Sequence, residues 1–135
     1  MNPVADILLI DDDPLVQDAV KMILEPEGYK VRGCLTVPIG LDSLRADPPD
    51  LLLLDIMLAT PTEGFHLAYE MRNDPQLKTI PIIVLSAVGR TYGLDFAKDV
   101  GSEFLPVEHF VTKPISAAVL RDAVRSVLMS TEAHP

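Results

Sequence analysis

The sequence lacks the features that mark secreted and membrane-spanning proteins. It has one cysteine, Cys34, in 135 residues, so no internal disulfide can form and a reducing cytoplasm is the expected location. No basic segment precedes the first apolar run, which argues against a signal peptide. The longest largely apolar stretch, residues 80–88, contains a proline and a serine and is far too short to span a bilayer. We therefore expect a cytoplasmic protein with no membrane partner.

Positive charge is also scarce. Lysine and arginine number 11 against 20 aspartates and glutamates, which gives a net charge of −9. Such a surface repels phosphate backbones, so direct binding to nucleic acid is not expected. The length, with 48% apolar and 23% charged residues, predicts a single globular domain over 1–135, with its core at about 5–130 and a polar tail at 130–135.

Short apolar runs alternate with amphipathic stretches along the whole chain. The third and fourth runs are continuously apolar, as expected of strands covered on both faces. Alternation of this kind predicts an α/β fold, with an open, doubly wound parallel sheet. The five runs are Ile7–Ile10, Val31–Cys34, Leu51–Leu54, Ile82–Leu85 and Phe110–Val111.

Helices are predicted between these strands. The first has Asp13 as N-cap and Pro14 at the first helical position, and it ends near Gly28. Others are predicted at 38–46, from just after 62–64 as far as 73, at 91–100 and from about 116 onward. The predicted apolar faces are Leu15, Ala19 and Ile23 in the first helix and Val119, Leu120, Ala123 and Val127 in the fifth.

Polar residues follow four of the five strands. Each residue alone has an ordinary explanation, such as a solvated turn or the end of a strand. In a doubly wound sheet, however, the carboxyl ends of the strands lie at one edge, where ligands bind. The residues are Asp11 and Asp12 after the first strand, Asp55 after the third, Ser86 after the fourth and Lys113 after the fifth.

These residue types suit phosphoryl transfer. Carboxylates of Asp11, Asp12 and Asp55 in one pocket would repel one another without a cation, and Mg2+ prefers such hard oxygen ligands. A carboxylate beside Mg2+ can act as a nucleophile toward phosphorus. Lys113 would supply a positive charge and Ser86 a hydroxyl donor for the phosphoryl oxygens. Together they predict an in-line phosphoryl-transfer site.

Four segments in this order resemble the receiver domains of two-component response regulators, over about residues 5–130. The resemblance implies a flavodoxin-like (βα)5 fold with strand order 2-1-3-4-5. It also implies that Asp55 is the phosphoacceptor and that Asp11, Asp12 and the backbone carbonyl of Met57 join Asp55 in holding Mg2+. The four segments are residues 7–14, 49–57, 80–87 and 110–114.

The resemblance further implies roles in signalling. Lys113 matches the active-site lysine of the family, and the bond from Lys113 to Pro114 matches one that is usually cis. Ser86 and Phe110 match the residues that change position on activation. The phosphoryl donor would be a histidine kinase or a phosphotransfer protein, and the chain would catalyse only its own phosphotransfer and dephosphorylation. An output protein or a second copy would bind the face formed by the fourth helix, fifth strand and fifth helix.

Two departures from the family pattern are visible. The loop after Asp55 is one residue longer than usual, with Ala59 where proline is typical, and an insertion around 102–108 precedes the last strand. The alternative that stays open is a degenerate receiver, acting as an interaction module without phosphorylation. Whether the chain acts alone or is a fragment of a longer regulator also stays open.

Two other classes of protein fit the sequence poorly. In haloacid-dehalogenase-like phosphatases the nucleophile follows the first strand and a second acidic pair follows a late strand, where this chain has Ser86 and Lys113. A flavodoxin-like FMN-binding protein must cradle a phosphate after the first strand. The run Asp11-Asp12-Asp13 would repel that phosphate.

Overall fold

Five short strands form one parallel sheet in the computed structural model of the chain. Their order is β2-β1-β3-β4-β5, and every neighbouring pair is parallel. The doubly wound α/β fold and the strand order predicted from the sequence are confirmed. The strands are β1 Asp6–Ile10, β2 Lys30–Cys34, β3 Leu51–Asp55, β4 Ile82–Ser86 and β5 His109–Thr112.

The structure describes the backbone of residues 4–55, 61–86 and 107–132. Within these ranges the helices are α1 Pro14–Leu24, α2 Val37–Ala46, α3 Pro61–Arg72 and α4 Ala117–Glu132. The last of these corresponds to the fifth helix predicted from the sequence. The helix predicted at 91–100, Met57 and residues 102–106 of the insertion lie outside the described residues. Of the rest of the insertion, Val107 is buried in the core and Glu108 forms an ion pair with Arg72.

Two hydrophobic cores lie on opposite faces of the sheet, because successive side chains of a strand point to opposite sides. Leu52 and Leu54 pack with α2 and α3 in one core, and Leu51 and Leu53 pack with α1 and α4 in the other. All of these leucines are fully buried. The continuous apolar runs in the sequence therefore reflect burial on both faces.

The ends of α1 follow from its capping residues. Asp13 caps the helix by accepting a hydrogen bond from the Leu15 amide at 2.9 Å. The α-helix stops at Leu24, because Pro26 has no N–H to donate and its ring clashes with the preceding turn. A 3-10 turn, Glu25–Glu27, follows, and Gly28 closes it with φ +96°, a left-handed conformation that favours glycine.

The face that α1 turns toward the core differs from the prediction. Its buried residues are Gln17, Val20 and Leu24, whereas Leu15 is 77% exposed. The helix is thus rotated relative to the predicted apolar face. Val20 and Leu24 pack in the core, and the side-chain amide of Gln17 donates hydrogen bonds to two backbone carbonyls there. In α4 the predicted Leu120, Ala123 and Val127 are buried, but Val119 is exposed.

Candidate functional site

The predicted acidic residues meet at the carboxyl edge of the sheet. Asp11 directly follows β1 and Asp55 ends β3, the neighbouring strand. Their relative exposures are 0% and 2%, whereas Asp12 is exposed. Carboxylate oxygens of Asp11, Asp12 and Asp55 all lie within 4.8 Å of one another. These side chains belong to adjacent strands on either side of the point where strand order reverses, which is where such folds bind ligands.

Lys113 reaches this acidic cluster from the end of β5, two strands away from β3 in the sheet. It follows β5, and its Nζ lies 3.0 Å from Asp11 Oδ2 and 3.3 Å from Asp55 Oδ2. The lysine side chain is 19% exposed, so solvent screens these two ion pairs only in part. One ammonium group thus balances part of the charge of three neighbouring carboxylates.

Burial, hydrogen bonds and neighbouring charges shift two pKa values in the cluster. Burial raises the pKa of Asp11 above its ordinary value, and the negative charge of Asp55 adds to this, although hydrogen bonds from the Asp13 amide and Lys113 oppose it. For Lys113, burial favours the neutral amine. The hydrogen bond to Asp11 and the charges of Asp11 and Asp55 outweigh that effect and raise the pKa of the lysine. An additional cation would favour the ionised form of Asp11.

Hydrogen bonds hold the turn that carries Asp11 and Asp12. The Asp13 amide donates to Asp11 Oδ1 at 2.9 Å, and the Asp11 amide donates to the Cys34 carbonyl at 3.1 Å. The side chain of Gln17 donates to the carbonyl oxygens of Asp11 and Cys34. Gln17 was not among the site residues predicted from the sequence, although a glutamine between the apolar residues of an amphipathic helix is a visible signal.

The remaining predicted site residues occupy β4 and β5. Ser86 ends β4 and pairs in register with Thr112, so its backbone lies at the same edge as the cluster. Phe110 is half-buried and packs against the core on the α2 and α3 side. The Lys113–Pro114 peptide bond is cis, as the sequence predicted. The carbonyl of Met57 lies outside the described residues.

Comparison with known proteins shows the family. The model of the response regulator receiver domain matches residues 7–125 of this chain. The chain belongs to this family. It is thus a receiver domain of the kind found in two-component response regulators, which confirms the family resemblance.

The curated relatives of this receiver domain are longer regulators. It is 34% identical over 122 residues to the transcriptional regulatory protein CseB of Streptomyces coelicolor, covering 90% of this chain and 48% of that protein. It is 32% identical over 129 residues to the DNA-binding dual master transcriptional regulator RpaA of a Synechocystis species, covering 96% and 51%. The chain therefore spans about half the length of these relatives.

Solved structures agree with this assignment. The N-terminal domain of a response regulator receiver protein from Methanoculleus marisnigri is 32% identical, with a TM-score of 0.70 and coverage of 93% of this chain and 97% of that one. A CheY-like receiver domain protein from Methanospirillum hungatei is 25% identical, with a TM-score of 0.79 and coverage of 96% and 98%. In the part of the receiver domain that the structure describes, no helix is both long and apolar enough to cross a membrane.

Proposed function

We propose that this receiver domain accepts a phosphoryl group on Asp55 and that Asp11, Asp12 and Asp55 hold the Mg2+ this transfer requires. The observation that carries the proposal is the carboxylate cluster beside Lys113 at the carboxyl edge of the sheet. Asp55 is the member of the cluster that ends a central strand, and it is almost fully buried. A nucleophile held in this way is oriented by the sheet.

The residues of the cluster fit a magnesium ion. They offer carboxylate oxygens only, and they are few enough to leave positions for water and phosphoryl oxygens, which Mg2+ retains in most protein sites. By resemblance to the family, the backbone carbonyl of Met57 would complete the set. When bound, Mg2+ supplies positive charge to the phosphoryl oxygens during transfer.

The transfer itself is an in-line displacement. A carboxylate oxygen of Asp55 forms a bond to phosphorus while the phosphorus–nitrogen bond of a phosphohistidine donor breaks on the opposite side. The leaving nitrogen keeps the electron pair and is protonated. Lys113, which lies 3.3 Å from Asp55 Oδ2, stabilises the negative charge on the phosphoryl group. The hydroxyl of Ser86 donates a hydrogen bond to a phosphoryl oxygen.

Transmission of the signal follows from the same residues. Ser86 moves toward the phosphoryl group and Phe110 turns into the vacated space, so phosphorylation favours one of two arrangements. The partner that supplies the phosphoryl group is a histidine kinase or a phosphotransfer protein. The surface that changes is the face named above, formed by the predicted fourth helix (91–100), β5 and the predicted fifth helix, which is α4 in the structure. This surface binds an output protein or a second copy of the chain.

The chain over 1–135 is one receiver domain that acts on no substrate other than its own acyl phosphate. Its location is the cytoplasm, because the single cysteine, Cys34, is a buried free thiol that suits a reducing compartment.

The test is phosphorylation by a small donor. Incubation with acetyl phosphate and MgCl2 should add the mass of one phosphoryl group, detected by intact-protein mass spectrometry and mapped to Asp55 by peptide analysis. Asp55→Asn should remove this product, and addition of EDTA should prevent it in the wild type.

A matched control lies at the other end of the same strand. Asp50, just before β3, accepts a hydrogen bond from the Asp6 amide at 2.8 Å and is exposed. Asp50→Asn should be phosphorylated like the wild type. Undiminished phosphorylation of Asp55→Asn would show that another residue is the acceptor. A folded wild type that is never phosphorylated would instead favour the interaction module that works without phosphorylation.

A further inference from the structure

Gln17 is a buried polar residue that the proposed chemistry does not use. It lies on the core side of α1 and is only 7% exposed. Its Nε2 donates to the carbonyl oxygen of Asp11 at 3.0 Å and to the carbonyl oxygen of Cys34 at 3.0 Å. A side-chain amide nitrogen carries two hydrogens, so both of them are used in these bonds.

These bonds occur where the ladder between β1 and β2 ends. Ile10 and Cys34 are the last residues in register, and the Asp11 amide still donates to the Cys34 carbonyl at 3.1 Å. The carbonyl of Asp11 is the next group along the chain, and Gln17 supplies its partner. Because this carbonyl shares one planar peptide unit with the amide of Asp12, the bond limits how that unit can rotate.

The other side of Asp12 is held as well. The Asp13 amide is bonded to Asp11 Oδ1 at 2.9 Å, and Asp13 caps α1. The side chain of Asp12 is exposed, so packing does not place it beside Asp11 and Asp55. Its position depends on the backbone that Gln17 and the cap of α1 fix.

Gly33 leaves the space that this amide needs. A Cβ atom at Gly33 would lie 1.7 Å from Gln17 Oε1 and 2.7 Å from Gln17 Cδ. Glycine weakens a strand, and inside one it often marks a close approach by another group. Any side chain at position 33 would therefore displace the amide of Gln17 from its two acceptors.

We propose that Gln17, with the space left by Gly33, is a positioning residue for the metal site. Its amide orients the peptide between Asp11 and Asp12 so that the two carboxylates hold Mg2+ together with Asp55. This inference rests on the proposed function, because it assumes that these carboxylates bind Mg2+.

The first test measures Mg2+ binding without phosphorylation. Backbone amide NMR signals of the 15N-labelled chain are followed during titration with MgCl2. Gln17→Leu keeps apolar bulk but removes both donors, and it should weaken Mg2+ binding about 10-fold or more, the usual effect of losing an outer partner of a metal ligand. Val20→Ala, buried on the same helix and without a polar group, should lower stability and leave Mg2+ affinity unchanged.

The second test is a double-mutant cycle. Gly33→Ala should weaken Mg2+ binding in the wild type, because the new methyl group displaces the amide of Gln17. In the Gln17→Ala background the same change should have no further effect, since no amide is left to displace. A general structural role of Gly33 would give equal losses in both backgrounds.

A third measurement needs no metal. Hydrogen exchange of the Asp13 amide should be faster in Gln17→Leu than in Val20→Ala, because the turn that it closes is less restrained. If the wild type binds Mg2+ and Gln17→Leu binds it as tightly, the inference is wrong. Equal losses of Mg2+ affinity from Gly33→Ala in both backgrounds of the cycle would also overturn it. If Gln17→Leu does not fold, the cycle with Gln17→Ala is the deciding test. A wild type that binds no Mg2+ would overturn the proposed function, and this inference with it.

Discussion

Replacement of Lys113 by methionine removes the cation of the acidic cluster and keeps a chain of similar length. The ammonium lies 3.0 Å from Asp11 Oδ2 and 3.3 Å from Asp55 Oδ2. At an effective dielectric constant of about 20, each pair contributes roughly 5 kcal/mol of gross attraction. The cost of removing the three groups from water offsets much of this, so the gross figure is far above the net effect.

The net loss is set by the two buried carboxylates, Asp11 and Asp55, which lose the positive charge of the ammonium group. Removing one member of a buried ion pair costs about 3–5 kcal/mol, a large part of the roughly 5–15 kcal/mol that stabilises a typical domain. We therefore expect Lys113→Met to lower the free energy of unfolding by about 3–5 kcal/mol in EDTA. With saturating Mg2+ the loss should be smaller, because a bound cation compensates the same carboxylates.

The assay is urea denaturation followed by circular dichroism, in EDTA and in MgCl2, with linear extrapolation to water. Lys30→Met, an exposed lysine at the start of β2 and thus at the opposite edge of the sheet, is the matched control and should change stability little. A loss below about 1 kcal/mol in EDTA, the size expected of a surface pair, would refute the reasoning. So would a loss that is the same with and without Mg2+.

Two further predictions concern the same cluster. The pKa of Lys113 in the folded chain is raised above its ordinary 10.5, so its contribution to stability is complete below pH 10.5 and is lost as the pH rises through the folded value. In urea denaturation with EDTA, the free energy of unfolding should therefore fall more steeply with pH above 10.5 for the wild type than for Lys113→Met. Parallel plots of this free energy against pH would contradict the prediction. Asp12→Asn removes an exposed negative charge from the cluster, so the melting temperature in EDTA should not fall, whereas the increase produced by MgCl2 should largely disappear. Asp18→Asn, an exposed acid on α1, should keep the full increase, and an equal response of the two variants would argue against Asp12 as a ligand.

The strands, most ends of the described helices and the meeting of Asp11, Asp12 and Asp55 at one edge of the sheet could be predicted from the sequence. Runs such as Leu51–Leu54 are buried on both faces of a parallel sheet, and that burial demands apolar residues at successive positions. The start of α1 follows from Asp13 and Pro14, which act within one turn. Asp11 and Asp55 could be placed at one edge because parallel strands bring their carboxyl ends together.

Some local boundaries differ because the decisive contacts lie outside the local pattern. The structure extends β5 to His109–Thr112, beyond the two apolar residues that the sequence indicated. It is an edge strand of the described sheet, and its two end residues, His109 and Thr112, are exposed, so the apolar pattern marks only the middle of the strand. Likewise α3 begins at Pro61 and so includes the residues 62–64 that the sequence placed before it.

The contacts that hold the acidic cluster together are visible only in the tertiary structure. The ion pair between Lys113 and Asp11 joins residues 102 positions apart, and no local pattern specifies such a distance. The buried position of Gln17 on α1 uses the carbonyl groups of Asp11 and Cys34 and the space beside Gly33, which the sequence of α1 does not contain. Residue types and strand order thus determined which groups meet at this edge, while packing between distant segments determined their distances, their burial and their shifted pKa values.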